Sequence, residues 1–213
     1  MNRTTFLVDG FNVYHSLVEA SRNAGGKTAK WLDLKRLCSS FLHVSAQRAG
    51  EKATLGRIYY FSARPTHRPP DKQQRHAIYV RALRATGVNV EMGRFKKKEV
   101  YCVRCRRPTP VHEEKETDVA IAAKLFEVCH SDESDTVILM TGDTDLRPAL
   151  LTCKRLFPEK LIFFAFPYKR SNAELRELAP ESFAIKRDTC LHVQFPDPLI
   201  LPDGTCIRKP PSW

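Results

Sequence analysis

The sequence predicts an α/β protein, a three-layer αβα sandwich built around a mainly parallel β-sheet. Short apolar, β-prone runs at 4–8, 55–61, 88–92, 136–141 and 161–166 alternate with stretches of helical period. Parallel strands need crossover connections, which the intervening helices supply. The strongest runs, FLV before Asp9 and VILM before Thr141, are apolar at every position, as expected of strands covered on both faces.

The run at 4–8 ends in Asp9 and Gly10, and 12–20 then follows helical period, giving a strand, a tight turn and a helix. Gly25 and Gly26 mark a loop. Asp33 suits the N-cap of a helix to about residue 49, with Leu34, Leu37, Cys38 and Phe41 on its buried side. Prolines break 64–70 into a loop, and Asp71 opens a helix to about residue 86 that Gly87 stops. A basic loop with a C-x-x-C pair occupies 94–112. A broadly apolar helix is expected over 117–130, and the turn after Gly142 leads into another over 146–156. The domain is expected to span 1–170. The segment 171–213, proline-rich and without clear period from about residue 180, is expected as a C-terminal extension laid over it.

With 213 residues, 42% of them hydrophobic, the chain can bury the core of one domain. No run approaches the roughly 18 apolar residues of a membrane span, and the start lacks the apolar core of a signal peptide, which reads as cytoplasmic with no membrane partner. Seven scattered cysteines fit reduced thiols or a metal site better than a disulfide framework. The net charge of +11 concentrates polyanions, which makes nucleic acid the expected partner, a merely solubilising surface being the plainer alternative. Arg94, Lys96, Lys97, Lys98, Arg104, Arg106 and Arg107 surround Phe95 and Tyr101, a composition suited to gripping RNA phosphates with a base-stacking contact. The segment from Arg64 to Arg84 adds further cations. A homo-oligomer is compatible with the sequence.

Asp9 and Asp143 follow two of the strongest strands, where side chains face the crevice that binds ligands in open parallel sheets. Asp118 opens the helix at 117–130, where amide groups and the macrodipole favour negative charge. Carboxylates within about 5 Å repel by roughly 3 kcal/mol per pair at an effective dielectric near 20, so a cation must offset them. Oxygen donors select Mg2+ or Mn2+, which can activate water for attack on phosphorus. Asn12, one helical turn on, can hold a phosphate or orient water, and Thr141 offers a hydroxyl at the same edge. Each residue has a plainer use: Asp9 as N-cap, Asn12 as a polar helix residue, Asp118 as a first-turn acid, Asp143 and Asp145 as turn formers.

FLVDGFNV, EEKETDVAIAAKLF and VILMTGDTDLRPAL, in this order and spacing, resemble the NYN domain, a branch of the PIN-like nucleases, over about residues 3–170. The resemblance implies a PIN-like, Rossmann-type sandwich and Mg2+- or Mn2+-dependent RNA cleavage. It further implies that Asp9, Asn12, Asp118, Asp143 and Asp145 occupy active-site positions, with Lys115 matching a lysine three residues before the central aspartate. Asp9, Asp118 and Asp143 are expected as direct metal ligands and Asp145 as a ligand or an outer partner. Arg147 is a further candidate for a phosphate.

Cys102 and Cys105 have zinc-knuckle spacing, with His112, Cys190, His192 and Cys206 as candidates to complete a tetrahedron; free thiols are the alternative. A cysteine nucleophile in this loop lacks an identifiable base. Cys38, Cys129 and Cys153 are expected to pack inside helices. Functionally, a metal-dependent ribonuclease acting on single-stranded RNA competes with an RNA-binding or regulatory module that keeps the fold without cutting. A phosphatase would need a second aspartate two residues after Asp9, where Phe11 stands, and a dinucleotide-binding enzyme would need G-x-G-x-x-G, which is absent.

Overall fold

The computed structural model describes residues 1–25, 27–101 and 107–213, with the backbone alone over 108–114. In chain order the first half comprises β1 (Asn2–Asp9), α1 (Gly10–Arg22), α2 (Leu34–Ser40), α3 (Leu42–Ala49), β2 (Ala53–Ala63), α4 (Pro70–Ala85) and β3 (Asn89–Tyr101). There follow β4 (Pro108–Lys115), α5 (Thr117–His130), β5 (Thr136–Met140), α6 (Arg147–Leu156), β6 (Leu161–Phe166), α7 (Ala173–Leu178), β7 (Phe183–Ala184) and α8 (Arg187–His192). The short strands β8 (Leu199–Ile200) and β9 (Cys206–Ile207) form a terminal hairpin.

Seven strands form one sheet in the order β4-β3-β2-β1-β5-β6-β7. Neighbours are parallel throughout except for the antiparallel β3–β4 pair. Helices flank the sheet as the predicted three-layer sandwich requires. β1 and β5 lie at the centre, and Val8 pairs with Met140. Phe6, Leu7, Val8, Val137–Met140 and Ile162–Phe166 are buried on both faces of the sheet, which is why these strands are apolar without alternation. From β1 the chain builds outward to β2 and β3 on one side, then returns to β5 and builds outward to β6 on the other. The strand order reverses between β1 and β5, and their carboxyl ends open into the crevice where such folds bind ligands.

The structure corrects several expectations. The basic segment at 94–112 is not a loop over its described length. β3 continues past the sheet to Tyr101 and pairs with β4 from Arg94↔Lys115 to Tyr101↔Pro108. Pro108 and Pro110 hid this strand, but an edge strand tolerates residues that cannot donate to a ladder. The helix expected over 34–49 is two helices that meet at Phe41, which is at once the C-cap of α2 and the residue preceding α3. A 3-10 turn at Thr144–Leu146 precedes α6. The segment after residue 170 contributes helices α7 and α8 and the edge strand β7. Asp33 caps α2 as expected, its carboxylate accepting from the Arg36 amide at 3.0 Å, and Cys38, Cys129 and Cys153 are buried packing residues. No described helix is long and apolar enough to cross a membrane.

Trp31, 1% exposed, fastens the last residues to the body. Its ring meets Phe195, Tyr79 and Trp213 at centroid distances of 5.4, 6.2 and 6.3 Å, and its Nε1 donates to the Pro196 carbonyl at 3.2 Å. The Asp33 amide donates to Val193 O at 3.1 Å, and the Phe195 amide donates to Trp31 O at 2.9 Å. Trp31→Ala is therefore expected to lower stability by about 3–5 kcal/mol, as for other large aromatic truncations. Denaturant unfolding checks this, and a loss below about 1 kcal/mol would contradict the anchoring role.

Candidate metal centre

Asp9 ends β1 and is also the N-cap of α1, so the capping role and the site role fall on one residue. Its Oδ1 accepts from the Phe11 amide at 3.1 Å and the Asn12 amide at 2.9 Å. Its Oδ2 accepts from the Thr141 hydroxyl at 2.8 Å, and Thr141 Oγ1 in turn accepts from the Asp143 amide at 3.1 Å. That hydroxyl ties the end of β1 to the end of β5. Asp143 Oδ1 accepts from the Asp145 amide at 3.0 Å, which curls the chain into the 3-10 turn.

Two glycines permit this closeness. A Cβ on Gly10 would lie 2.5 Å from the Phe61 carbonyl oxygen, and one on Gly142 only 2.0 Å from that of Arg170. Neither position has room for a larger residue without moving backbone.

Asp118, in the first turn of α5, completes a group: one carboxylate oxygen each from Asp9, Asp118 and Asp143 lie within 4.8 Å of one another. Asp9 is buried, Asp143 half-buried and Asp118 exposed, so the group opens from the sheet edge toward solvent. Burial pushes the Asp9 carboxyl up to about 6 against the opposing hydrogen bonds from Asn12 and Thr141, with the charges of Asp118 and Asp143 adding to the rise. Asp118 is also raised, by desolvation first and then by Asp143 and Asp145.

The donor set is all oxygen, and Asn12 Oδ1 is enclosed without a hydrogen-bond partner among the described residues. Three clustered carboxylates, of which Asp9 and Asp118 resist ionisation, beside an unpartnered acceptor fit a hard divalent cation. Asp145 is exposed and falls outside the close group, near enough only to act on Asp118 through its charge. Lys115 is exposed at the end of β4, opposite Arg94 and three residues before Asp118. Arg147 is engaged with Glu174 at 2.8 Å.

Of the proposed RNA contacts, Lys96, Lys97, Lys98 and Arg107 are exposed, and Arg94 is exposed and ion-paired with Glu116. Arg104 and Arg106 lie outside the described residues, as do Cys102 and Cys105 and the side chain of His112. Cys190 is buried in α8, where burial raises its thiol to about 11, while His192 and Cys206 are exposed. Among the described residues, the aspartate group is the one cluster able to hold a metal.

Sequence reasoning missed Arg170, whose carbonyl packs against Gly142 and whose guanidinium reaches Glu19 at 3.4 Å while its Nε is enclosed without a partner among the described residues. The signal was available, because the residues after β6 belong to the same carboxyl edge as Asp9 and Asp143. A cleft of about 530 Å3 opens beside α4, with Arg64, His76, Arg81 and Arg84 in its lining.

Asp9 binds its proton more tightly in the folded state than in the unfolded chain, so its ionisation costs stability, by about 3 kcal/mol for a rise of this size. The cost is absent below about pH 4 and develops fully as pH rises through about 6. Asp9→Asn keeps a competent N-cap and removes the titration. In EDTA, the stability of the Asn variant relative to wild type should therefore increase across that window, and millimolar Mg2+ should reverse the trend by stabilising wild type alone. Thermal unfolding measured against pH checks this, and a flat difference unaffected by Mg2+ would contradict it.

The model of the NYN domain matches residues 3–186. No protein of curated function matches significantly. Among solved structures, a protein of unknown function from Vibrio parahaemolyticus is similar with a TM-score of 0.53 and 20% identity, over 88% of this chain and 94% of that one, a likeness of fold alone. A deacetylase from the teicoplanin biosynthesis pathway, solved with teicoplanin, is similar at a TM-score of 0.33 and 12% identity over 75% of this chain and 68% of that one, too low to carry an argument. The family match spans most of the chain and every strand that builds the acidic group, and the protein therefore belongs to the NYN domain family, nuclease-type domains of the PIN-like superfamily.

Proposed function

We propose that the protein is a metal-dependent ribonuclease that hydrolyses phosphodiester bonds of single-stranded RNA. The observation that carries this is the meeting of Asp9, Asp118 and Asp143 within 4.8 Å at the strand-order reversal, in a chain whose net charge is +11. A phosphodiester approaching three bare carboxylates would be repelled by roughly 3 kcal/mol per charge pair. A bound Mg2+ or Mn2+ ion would supply the compensating charge and the Lewis acidity that polarises phosphate and water.

The chain's own groups divide the remaining work. Asp9, Asp118 and Asp143 hold the cation, with Asp9 kept in place by the α1 amides and Thr141. Asn12 is positioned at the first turn of α1 to orient water or a phosphate oxygen. Asp145 stands at the rim, where it can accept a hydrogen bond from the attacking water. In this reading Lys115, three residues before Asp118, and Arg170, whose carbonyl lies against Gly142, meet phosphate oxygens, Arg170 exchanging its contact with Glu19 for one with phosphate. The β3–β4 hairpin begins at Arg94↔Lys115 and carries cations on both of its faces, Lys97 on one and Lys96 and Lys98 on the other, for contact with the RNA backbone. The cleft beside α4 adds Arg64, Arg81 and Arg84 as further cations for the RNA backbone.

Labelled single-stranded RNA incubated with wild type and with Asp143→Asn tests the proposal. Wild type should cut with Mn2+ and stop cutting in EDTA, and the substitution should lower the rate by about 100-fold or more, as for loss of other electrostatic catalytic groups. Cutting that persists in EDTA and in the variant would remove the mechanism. Binding of RNA without cutting under any condition would favour the non-catalytic RNA-binding module.

A further inference from the structure

Two residues beyond Asp9, Phe11 leaves 46% of its surface in solvent, and Tyr14, on the next turn, leaves 44%. Nothing in helix formation requires an aromatic ring in this first turn, where small polar or acidic residues are favoured. Phe11 belongs to a chain of rings drawn from three separate segments. It meets His15 of α1 at a centroid distance of 4.6 Å and Phe95 of β3 at 6.5 Å, and Phe95 meets His67, from the loop before α4, at 4.5 Å. Successive side chains of a strand alternate faces, so Lys97 stands on the same face of β3 as Phe95. On the other side, Arg170 is close enough to His15 that its charge, after burial, lowers the imidazole's proton affinity. The strip thus has Lys97 at one end and, at the other, Arg170 in its ion pair with Glu19.

The strip is also fixed to the acidic group, since the Phe11 amide donates to Asp9 Oδ1 at 3.1 Å. The Phe11 backbone is thereby held against Asp9, so a strand with a phosphate at the carboxylates would bring a neighbouring base to the turn that carries this exposed ring. Flat apolar rings bordered by cations suit a nucleobase, which has a stackable face and a charged backbone beside it. In a duplex both faces of each base are occupied by neighbours, so only an unpaired base can stack there.

We infer that Phe11, supported by Phe95, His15 and His67, is a stacking platform for one unpaired nucleobase adjoining the phosphate at the carboxylates, and that it sets the preference for single strands. This rests on the assignment of the carboxylate group to RNA. Phe11 is a specificity residue that touches substrate away from the reacting atoms.

The test is fluorescence anisotropy with the full chain carrying Asp143→Asn, which suppresses cutting, in millimolar Mg2+. The probes are a labelled oligoadenylate and an abasic oligonucleotide with the same number of phosphates. The oligoadenylate should bind at least about ten-fold more tightly than the abasic strand, from stacking alone. Phe11→Ala should abolish that preference while leaving the abasic affinity unchanged, and Phe11→Trp should keep it. Phe95→Ala, one ring removed, should weaken the preference in the same direction. A preference that survives both alanine variants would overturn the platform, as would an equal loss on both probes, which marks a structural effect. Wild type that cuts RNA without any base preference would sink this inference alone, whereas failure to bind either probe would sink it together with the assignment to RNA.

Discussion

The buried charge of Asp9 is the constraint around which the rest of the site is arranged. A carboxylate at 5% exposure is costly in an apolar sheet unless its oxygens are satisfied. The α1 amides and the Thr141 hydroxyl satisfy it in part, and each of those partners fixes a piece of the fold. The amides lock the strand-to-helix turn after β1, and the hydroxyl joins that turn to the end of β5. Gly10 and Gly142 are the backbone's concession to this closeness. The hydrogen bonds do not fully offset burial and like charge, as the elevated proton affinity of Asp9 records. What is left uncompensated would favour a cation held between the carboxylates.

The same constraint explains why the acidic group lies at the strand-order reversal. Only where the strand order reverses do two adjacent strands send their following chain in different directions, leaving a crevice between them. Asp9 and Asp143 occupy both sides of it, and α5 delivers Asp118 from the third direction. A sheet of the same composition with strands in another order would scatter the three residues.

Much of this was legible in the sequence because the relevant signals are local. Uniformly apolar strands followed by aspartate, together with the carboxyl-edge rule, placed Asp9 and Asp143 in one neighbourhood with Thr141 at the same edge, and the helix start at 117 offered Asp118 to it. Asp145 was harder to place, because its distance from the group depends on the 3-10 turn that Asp143 itself caps. The β3–β4 hairpin was misread as a loop since its first strand is dominated by charged residues rather than an apolar run and its second carries Pro108 and Pro110. The aromatic strip was invisible for a related reason. Phe11, His67 and Phe95 belong to three segments that only the tertiary fold brings together, and only Phe95 sat in a composition that hinted at stacking.

The most direct measurement of the central claim is anomalous diffraction from crystals soaked in Mn2+. The account predicts a manganese peak between the carboxylates of Asp9, Asp118 and Asp143, lost in crystals of Asp9→Asn. A peak elsewhere, or an ordered site with no bound metal at saturating Mn2+, would contradict it.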